Sequence, residues 1–361
     1  MGFLRGSGDT NGEPERDDDA LETDAKQADS LARIEAGGIP LTAERRLQAL
    51  GAGGSMFTSG LSVNEFALLG AVGPRPLAQV LGGSVVRVGQ ALLPALAPYV
   101  RWSSSGNTGY LEEPRPRQRA AYQRTAVVCE VEALSQAWAE ARRNALNRLS
   151  EEALQVGADL VVGVKLQRGE HDLAKRTIDY LISGTAIRSP GSTQKSWPLL
   201  SDLSVQDYWR LHNAGFEPAG LVAATAVVFA SADRPTRQRR RRTWRRNQEL
   251  DELSQAFHLA RETVRQRLFS QAQGEHADGT VGVELSHTVH REELSVTSSV
   301  PRVGASGWNR GALGIPYYVS RRGEIERKGW LITMHGAGTA IRRRRRVPQY
   351  PPEKTMRMGV R

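Results

Sequence analysis

The apolar positions of this chain follow one helical rhythm twice. Leu134, Trp138, Ala141, Ala145, Leu149 and Ala153 recur at spacings of three and four, as do Leu253, Phe257, Ala260, Val264, Leu268 and Ala272. Such spacing puts each set on a single stripe of an amphipathic helix. The opposite faces carry Arg142, Arg143, Arg148, Glu151 and Glu152, or Arg261, Arg265 and Arg267. After each helix comes a β-rich run, LVVGVKL (Leu160–Leu166) or TVGVELS (Thr280–Ser286). Before each, Ser84–Val88 and Ala224–Ala230 read as buried strands, and TIDYLIS (Thr177–Ser183) and GWLITMH (Gly329–His335) supply a further strand. A strand near Phe57 or Leu200 can be added at the front of each unit. The fold class expected is α/β of the mixed α+β kind, a tandem repeat of a small β-α-β-β domain.

Direct alignment of the two halves supports the repeat. Leu61–Val86 sets against Leu203–Val228 without a gap, with nine of 26 positions identical. Ser135–Leu166 sets against Ser254–Leu285 with 14 of 32 identical, and both halves then end in GTAIR, at Gly184–Arg188 and Gly338–Arg342. The copies differ in their inserts. Gly89–Ala121 is rich in Pro, Ser and Arg; RPTRQRRRRTWRR (Arg234–Arg246) stands at the same place in the second copy; and Thr297–Glu324 is rich in Gly and Ser. By composition all three are loops. Residues 1–36 are rich in Gly, Asp and Glu with few large apolar groups and are expected to be disordered. IPLTAERRLQAL (39–50) predicts a short helix over Ala43–Leu50 with Thr42 as its N-cap. The domain plan is therefore a disordered acidic tail with a short helix (1–54), a first domain (55–190), a second, divergent domain (191–346) and a basic C-terminal tail (347–361).

Charge sharpens this plan. The 361 residues carry a net +10, yet residues 1–36 hold ten acids and four bases, so an acidic tail precedes a basic body. The one cysteine, Cys129, lies among apolar neighbours and excludes an intrachain disulfide and a Cys-based zinc cage. A buried inert thiol and a reducing cytosol are expected. MGFLRGSGDT has no apolar signal region, and Gly220–Ala230, the longest apolar stretch, is short of the roughly 20 residues that span a bilayer. A soluble, cytoplasmic protein without a transmembrane segment is expected.

An Ala/Arg/Glu helix followed by ALQVGADLVVGVKL and a strand ending SGTAIR resembles the YbjQ-like family, often called the putative heavy-metal-binding domain. TSGLSV, GAVGP and GGSVVRV are similar to that family's opening strands. The resemblance covers roughly Ser55–Arg188 well and Leu199–Arg343 more weakly, where HADGTVGVEL and HGAGTAIR are degenerate versions. It implies small dodecin- or YbjQ-like domains that assemble into rings, typically pentamers, with strands forming a barrel on oligomerisation. It brings no catalytic residues. Two domains per chain cannot alternate evenly round a five-membered ring. Either five chains make two stacked rings, or each chain gives both domains to a ring of even domain number.

Candidate chemistry is sparse. His287 and His290, with Glu292 following, and His171, which aligns with His290, compose a candidate site for a divalent transition metal such as zinc, nickel or copper. On an extended segment, however, residues three apart point to opposite faces, so the bland alternative is a set of surface histidines. The arginine runs are a second candidate: Arg239, Arg240, Arg241, Arg242, Trp244, Arg245 and Arg246, then Arg342, Arg343, Arg344, Arg345 and Arg346. Arginine pairs with phosphate and tryptophan stacks on bases, so nucleic acid, an anionic surface or an acidic protein partner would suit them, against plain solvation. Hydrolase elbows, P-loops, HExxH and GxGxxG signatures are absent. The function expected is a non-enzymatic, homo-oligomeric binding or scaffold protein.

Overall fold

The computed structural model describes residues 15–51, 57–88, 126–171, 177–190, 197–232, 247, 249–302 and 319–344, with side chains from 25 onward except at 51, 72, 170, 171, 293–302 and 319–327. The inserts 89–121 and 234–246 thus lie outside the described residues.

The architecture is α+β, two four-stranded sheets each backed by a long helix. The first half runs α3 (Val63–Val72), β1 (Arg75–Arg87), β2 (Val127–Glu130), α4 (Glu132–Gln155), β3 (Leu160–His171) and β4 (Thr177–Arg188). The second runs β5 (Leu199–Leu200), α5 (Val205–Asn213), β6 (Phe216–Ser231), α6 (Asp251–Gly274), β7 (Gly279–Arg302) and β8 (Val319–Arg343). Strand order is β1-β4-β3-β5 in one sheet and β2-β6-β8-β7 in the other. Each half therefore lends the other a strand: β2 pairs antiparallel with β6, and β5 pairs parallel with β3.

The aligned positions of the two halves make the same bonds. Bulges fall at Pro76/Ala78 and Pro218/Gly220, and again at Val162/Lys165 and Val281/Glu284. At the second bulge Gly163 and Gly282 both take positive φ, 61° and 66°, a conformation that side chains disfavour. Ser62 and Ser204 cap α3 and α5 by accepting from the Glu65 and Asp207 amides. Glu152 accepts from the Leu81 amide (2.8 Å) where Gln271 accepts from the Ala223 amide (3.0 Å). Arg148 donates to the Gly83 carbonyl where Arg267 donates to that of Thr225.

The predicted apolar stripes face the sheets, with Ala141, Ala145, Leu149, Ala153, Ala260 and Val264 fully buried. Gly82 lets α4 approach β1 closely: a Cβ there would stand 2.0 Å from the Ala145 carbonyl oxygen. One core cluster joins the halves, since Val227, Phe229 and Leu331 pack with Val131, Trp138 and Tyr180.

Five sequence expectations need correction. Residues 15–35 form a helix, α1 (Glu15–Glu35), rather than a disordered stretch. Its Ala, Glu, Lys and Leu content favours helix, and its end is tied down by Arg33 to Glu44 and by Arg148 to the Ile34 carbonyl. The next helix, α2 (Leu41–Gly51), starts two residues earlier than expected, so Thr42 is inside it. The insert 297–324 is strand at both ends, because Thr297–Arg302 pairs with Val319–Glu324 and prolongs the hairpin. Val85, read as buried, is exposed. Arg142 and Glu152, read on the solvent side, are buried. The second half covers Arg142, and α2 places Arg46 on Glu152 (2.7 Å).

Candidate interdomain site

The densest cluster of polar and aromatic side chains lies where the halves meet. Chain leaving β2 is committed to the second half before α4 begins: the Val131 amide donates to the Val227 carbonyl (2.8 Å). Ser135, on the first turn of α4, then bridges the boundary. Its hydroxyl donates to Glu130 (2.6 Å) and accepts from the Val227 amide (3.0 Å). Glu130 in turn receives Arg267 from α6 at 2.7 Å.

Further along α4, Trp138 lies edge-on to Tyr180 of its own half (centroids 5.7 Å) and to His335 of the other (4.8 Å). One turn on, the buried Arg142 guanidinium donates to the Thr225 hydroxyl (3.2 Å), which lies 3.0 Å from His335 Nδ1. Thr225 is thus left its own proton to give, and Nδ1 is assigned as the acceptor. The imidazole is neutral in this arrangement. Burial, then the positive charges of Arg168 and Arg142, push its pKa down to about 3. Burial also lowers Arg142 below the ordinary arginine value, with Tyr180 opposing.

At the other edge the second half docks through β5. Leu199 and Ser201 amides donate to the Asp159 and Val161 carbonyls (3.0 and 2.9 Å), while Gly163 and Val164 amides donate to Leu203 and Ser201 carbonyls (2.9 and 3.0 Å). The buried Ser201 hydroxyl meets that of Thr339 at 3.0 Å. What this arrangement does chemically is bind protein to protein: backbone ladders set the register, and buried aromatic and charged groups penalise misfit.

The expected metal residues are not drawn into this cluster. His287 and His290 sit on β7 opposite Met334 and Leu331, and His287 is exposed against the ring of Phe257 (5.0 Å). Glu292 pairs with Gly329 on the same hairpin, whereas His171 ends β3 in the other sheet, its side chain outside the described residues. Among the described residues no three His, Cys, Asp or Glu side chains could hold one ion. Arg239–Arg242, Trp244, Arg245, Arg246, Arg345 and Arg346 lie outside the described residues. Arg342 pairs with Glu217 (2.5 Å), the Arg343 guanidinium lies over Phe216 (6.0 Å), and Arg344 reaches His212 Nε2 (2.7 Å). Cys129 is half-buried on β2. Sequence reasoning missed Ser135, Thr225 and His335, because their partners come from the other half. The signal available was that His335 and Thr225 replace Leu181 and Gly83 of the first copy.

No helix among the described residues is long and apolar enough to cross a membrane. No solved structure matches the chain. The family described as putative heavy-metal-binding, the YbjQ-like family, matches residues 117–189, which span β2, α4, β3 and β4. A curated relative, the "Encapsulin nanocompartment protein Rv1762c" of Mycobacterium tuberculosis, aligns over 261 residues at 31% identity, covering 70% of this chain and 87% of the relative. With that identity over so much of both proteins, the chain belongs to the family of this mycobacterial nanocompartment protein.

Proposed function

We propose that this chain is a non-enzymatic, self-assembling scaffold protein of a nanocompartment system, built from two copies of one YbjQ-like domain, 55–190 and 191–346. The observation that carries it is the reciprocal strand lending, β2 to the second sheet and β5 to the first. A domain whose sheet is completed by its neighbour is made for assembly. The relative's printed name supports the nanocompartment setting. The shared bulges, caps and helix-to-strand bonds support the second copy as a divergent member of the same family.

Native mass spectrometry of the untagged chain tests this. A discrete homo-oligomer without stoichiometric metal is the expected result. A monomer at micromolar concentration overturns the scaffold reading, and a stoichiometric transition metal makes the metal-binding alternative the better one.

A second reading, an anionic partner such as nucleic acid, has one structural observation in its favour. Trp209 stacks on His212 (5.7 Å, 9° between planes), and Arg344, a member of the second arginine run, reaches the same imidazole. Polynucleotide binding that weakens steeply with salt, and is lost when Arg239–Arg242 become Ser, would support it.

A further inference from the structure

The contact between the two halves has an unfilled counterpart at each end of the chain. Every group that the first half offers to the second has an aligned equivalent in the second half. The backbone edge and the arginine that the second half offers have equivalents in the first, whereas Thr225 and His335 are replaced there by Gly83 and Leu181. From these matched surfaces we infer that the chain docks head to tail on a second copy of itself, the second half of one chain receiving the first half of the next. The inference rests on the scaffold reading and gives it a surface and a register.

The receiving edge is the start of β7. In the first half the equivalent edge, Asp159–Val164, is covered by 199–203 of the second half through the four backbone bonds described above. In the second half the aligned Asp278–Val283 forms the sheet edge with no strand beyond it among the described residues. Val164 is 3% exposed, whereas its equivalent Val283 is 43% exposed. A cleft of about 270 Å³ opens beside it, lined by Phe269, Thr280 and Val283 among others.

The segment that would fill this edge is already laid out at the other end of the chain. Residues 57–61 are the equivalents of 199–203, and they are held on their own half in the same way. The Gly60 amide donates to Thr185 (3.1 Å) as the Asp202 amide donates to Thr339 (3.2 Å). The in-chain pair Val161 and Leu200 then maps to Thr280 of one chain beside Thr58 of the next.

The second seam matches as well. Val227 is 1% exposed because β2 and α4 of the first half cover it, and its equivalent Val85 is 68% exposed. Leu81 and Leu181 beside it are also exposed. The groups that would cover Val85 are preset. Ser254 donates to Glu249 at 2.6 Å, the same bond that holds Ser135 on Glu130, so its oxygen can still accept from the Val85 amide. Exposed Glu249 is then offered to Arg148, as Glu130 is to Arg267. Arg148 keeps a buried Nε without a partner, while its two terminal nitrogens donate to the Gly83 and Ile34 carbonyls.

A contact between two different surfaces is heterologous, and its signature is asymmetric. Val283→Asp spoils only the receiving edge and Val85→Asp only the inserting face. Both sites are exposed, so both variants should fold, which circular dichroism checks. The expected native masses are a multimer for the parent chain, a monomer for each variant alone, and a heterodimer that grows no further when the two are mixed. As a folding-independent reading, Thr58→Cys with Thr280→Cys in a Cys129→Ser background should give a ladder of cross-linked chains under mild oxidation. A multimeric parent whose variants keep its mass, or whose variants stay monomeric on mixing, overturns this surface and leaves the scaffold reading standing. A monomeric parent overturns both.

Discussion

His335 and Trp138 meet in a T-shaped contact across the boundary between the two halves, with 4.8 Å between the ring centroids and 77° between their planes. The two residues lie far apart in sequence, and neither has an aromatic partner type at the matching place in the other copy's boundary except Phe257 for Trp138. The contact is therefore specific to this one seam, and it holds a histidine that cannot readily accept a proton.

The pH dependence follows from that. His335 titrates at about 3 in the folded chain, against 6.5 when free. The unfolded state thus binds the extra proton first as pH falls, and stability is lost between about 6.5 and 3. At pH 5 the loss from this group is about 2 kcal/mol as an upper bound, at ~1.4 kcal/mol per pH unit. Urea denaturation of the parent and of His335→Gln at pH 7 and pH 5 checks it. The variant should lose less stability than the parent over that interval, and equal losses would remove His335 from the account.

Gly82 and its equivalent Ala224 predict opposite tolerance. A Cβ on Gly82 would strike the backbone of α4 at Ala145 and Leu149. Gly82→Ala should cost about 1–3 kcal/mol, as overpacking typically does, whereas Ala224→Gly should cost about 1 kcal/mol. Thermal melts of the two variants decide it, and a stabilised Gly82→Ala would show that the helix can move away.

Glu152 is buried and accepts from both the Leu81 amide and Arg46. Gln271 does the same anchoring in the second half as a neutral amide, reaching both the Ala223 amide and carbonyl at 3.0 Å. Glu152→Gln should therefore cost less than ~1 kcal/mol, while Glu152→Ala, which leaves the part-buried Leu81 amide without its acceptor, should cost about 1–3 kcal/mol. Equal effects in chemical denaturation would mean that the side chain serves only as filler.

Arg267 and Glu130 form an ion pair across the boundary at 2.7 Å, with Arg267 partly open to water. A double-mutant cycle with Arg267→Ala and Glu130→Gln should give a coupling of about 0.5–1 kcal/mol, the range for partly exposed pairs. The coupling should shrink in 1 M salt; a value that does not change with salt points to packing rather than charge.

Much of each half was legible in the sequence. The stripes from Leu134 to Ala153 and from Leu253 to Ala272 set the helices, and the aligned GTAIR segments mark the strands beside them. The boundary was not legible, for a physical reason. Val85 and Val227 are the same residue at the same aligned position, and only the first half packed on Val227 makes one exposed and the other buried. Periodicity reports which face of an element is apolar, not what lies against it. The same limit hid Arg142, which reads as a solvated charge on its own helix. Composition misled at 297–324, where glycines and serines suggested a loop and the backbone instead continues the ladder at both ends. It misled again at α1, where Ala, Glu, Leu, Lys and Arg are good helix formers despite the high charge.

The pairing of β2 with β6 within one chain also sets the order in which larger structures can grow. Covalent connection gives that joint an effective concentration no separate partner can match, so it closes during folding and at any dilution. Joints between chains would enjoy no such advantage and would form only above a threshold set by their own affinity. A chain that already holds one such joint therefore needs half as many dilution-sensitive joints as a chain that holds none, and its smallest unit is already a finished pair.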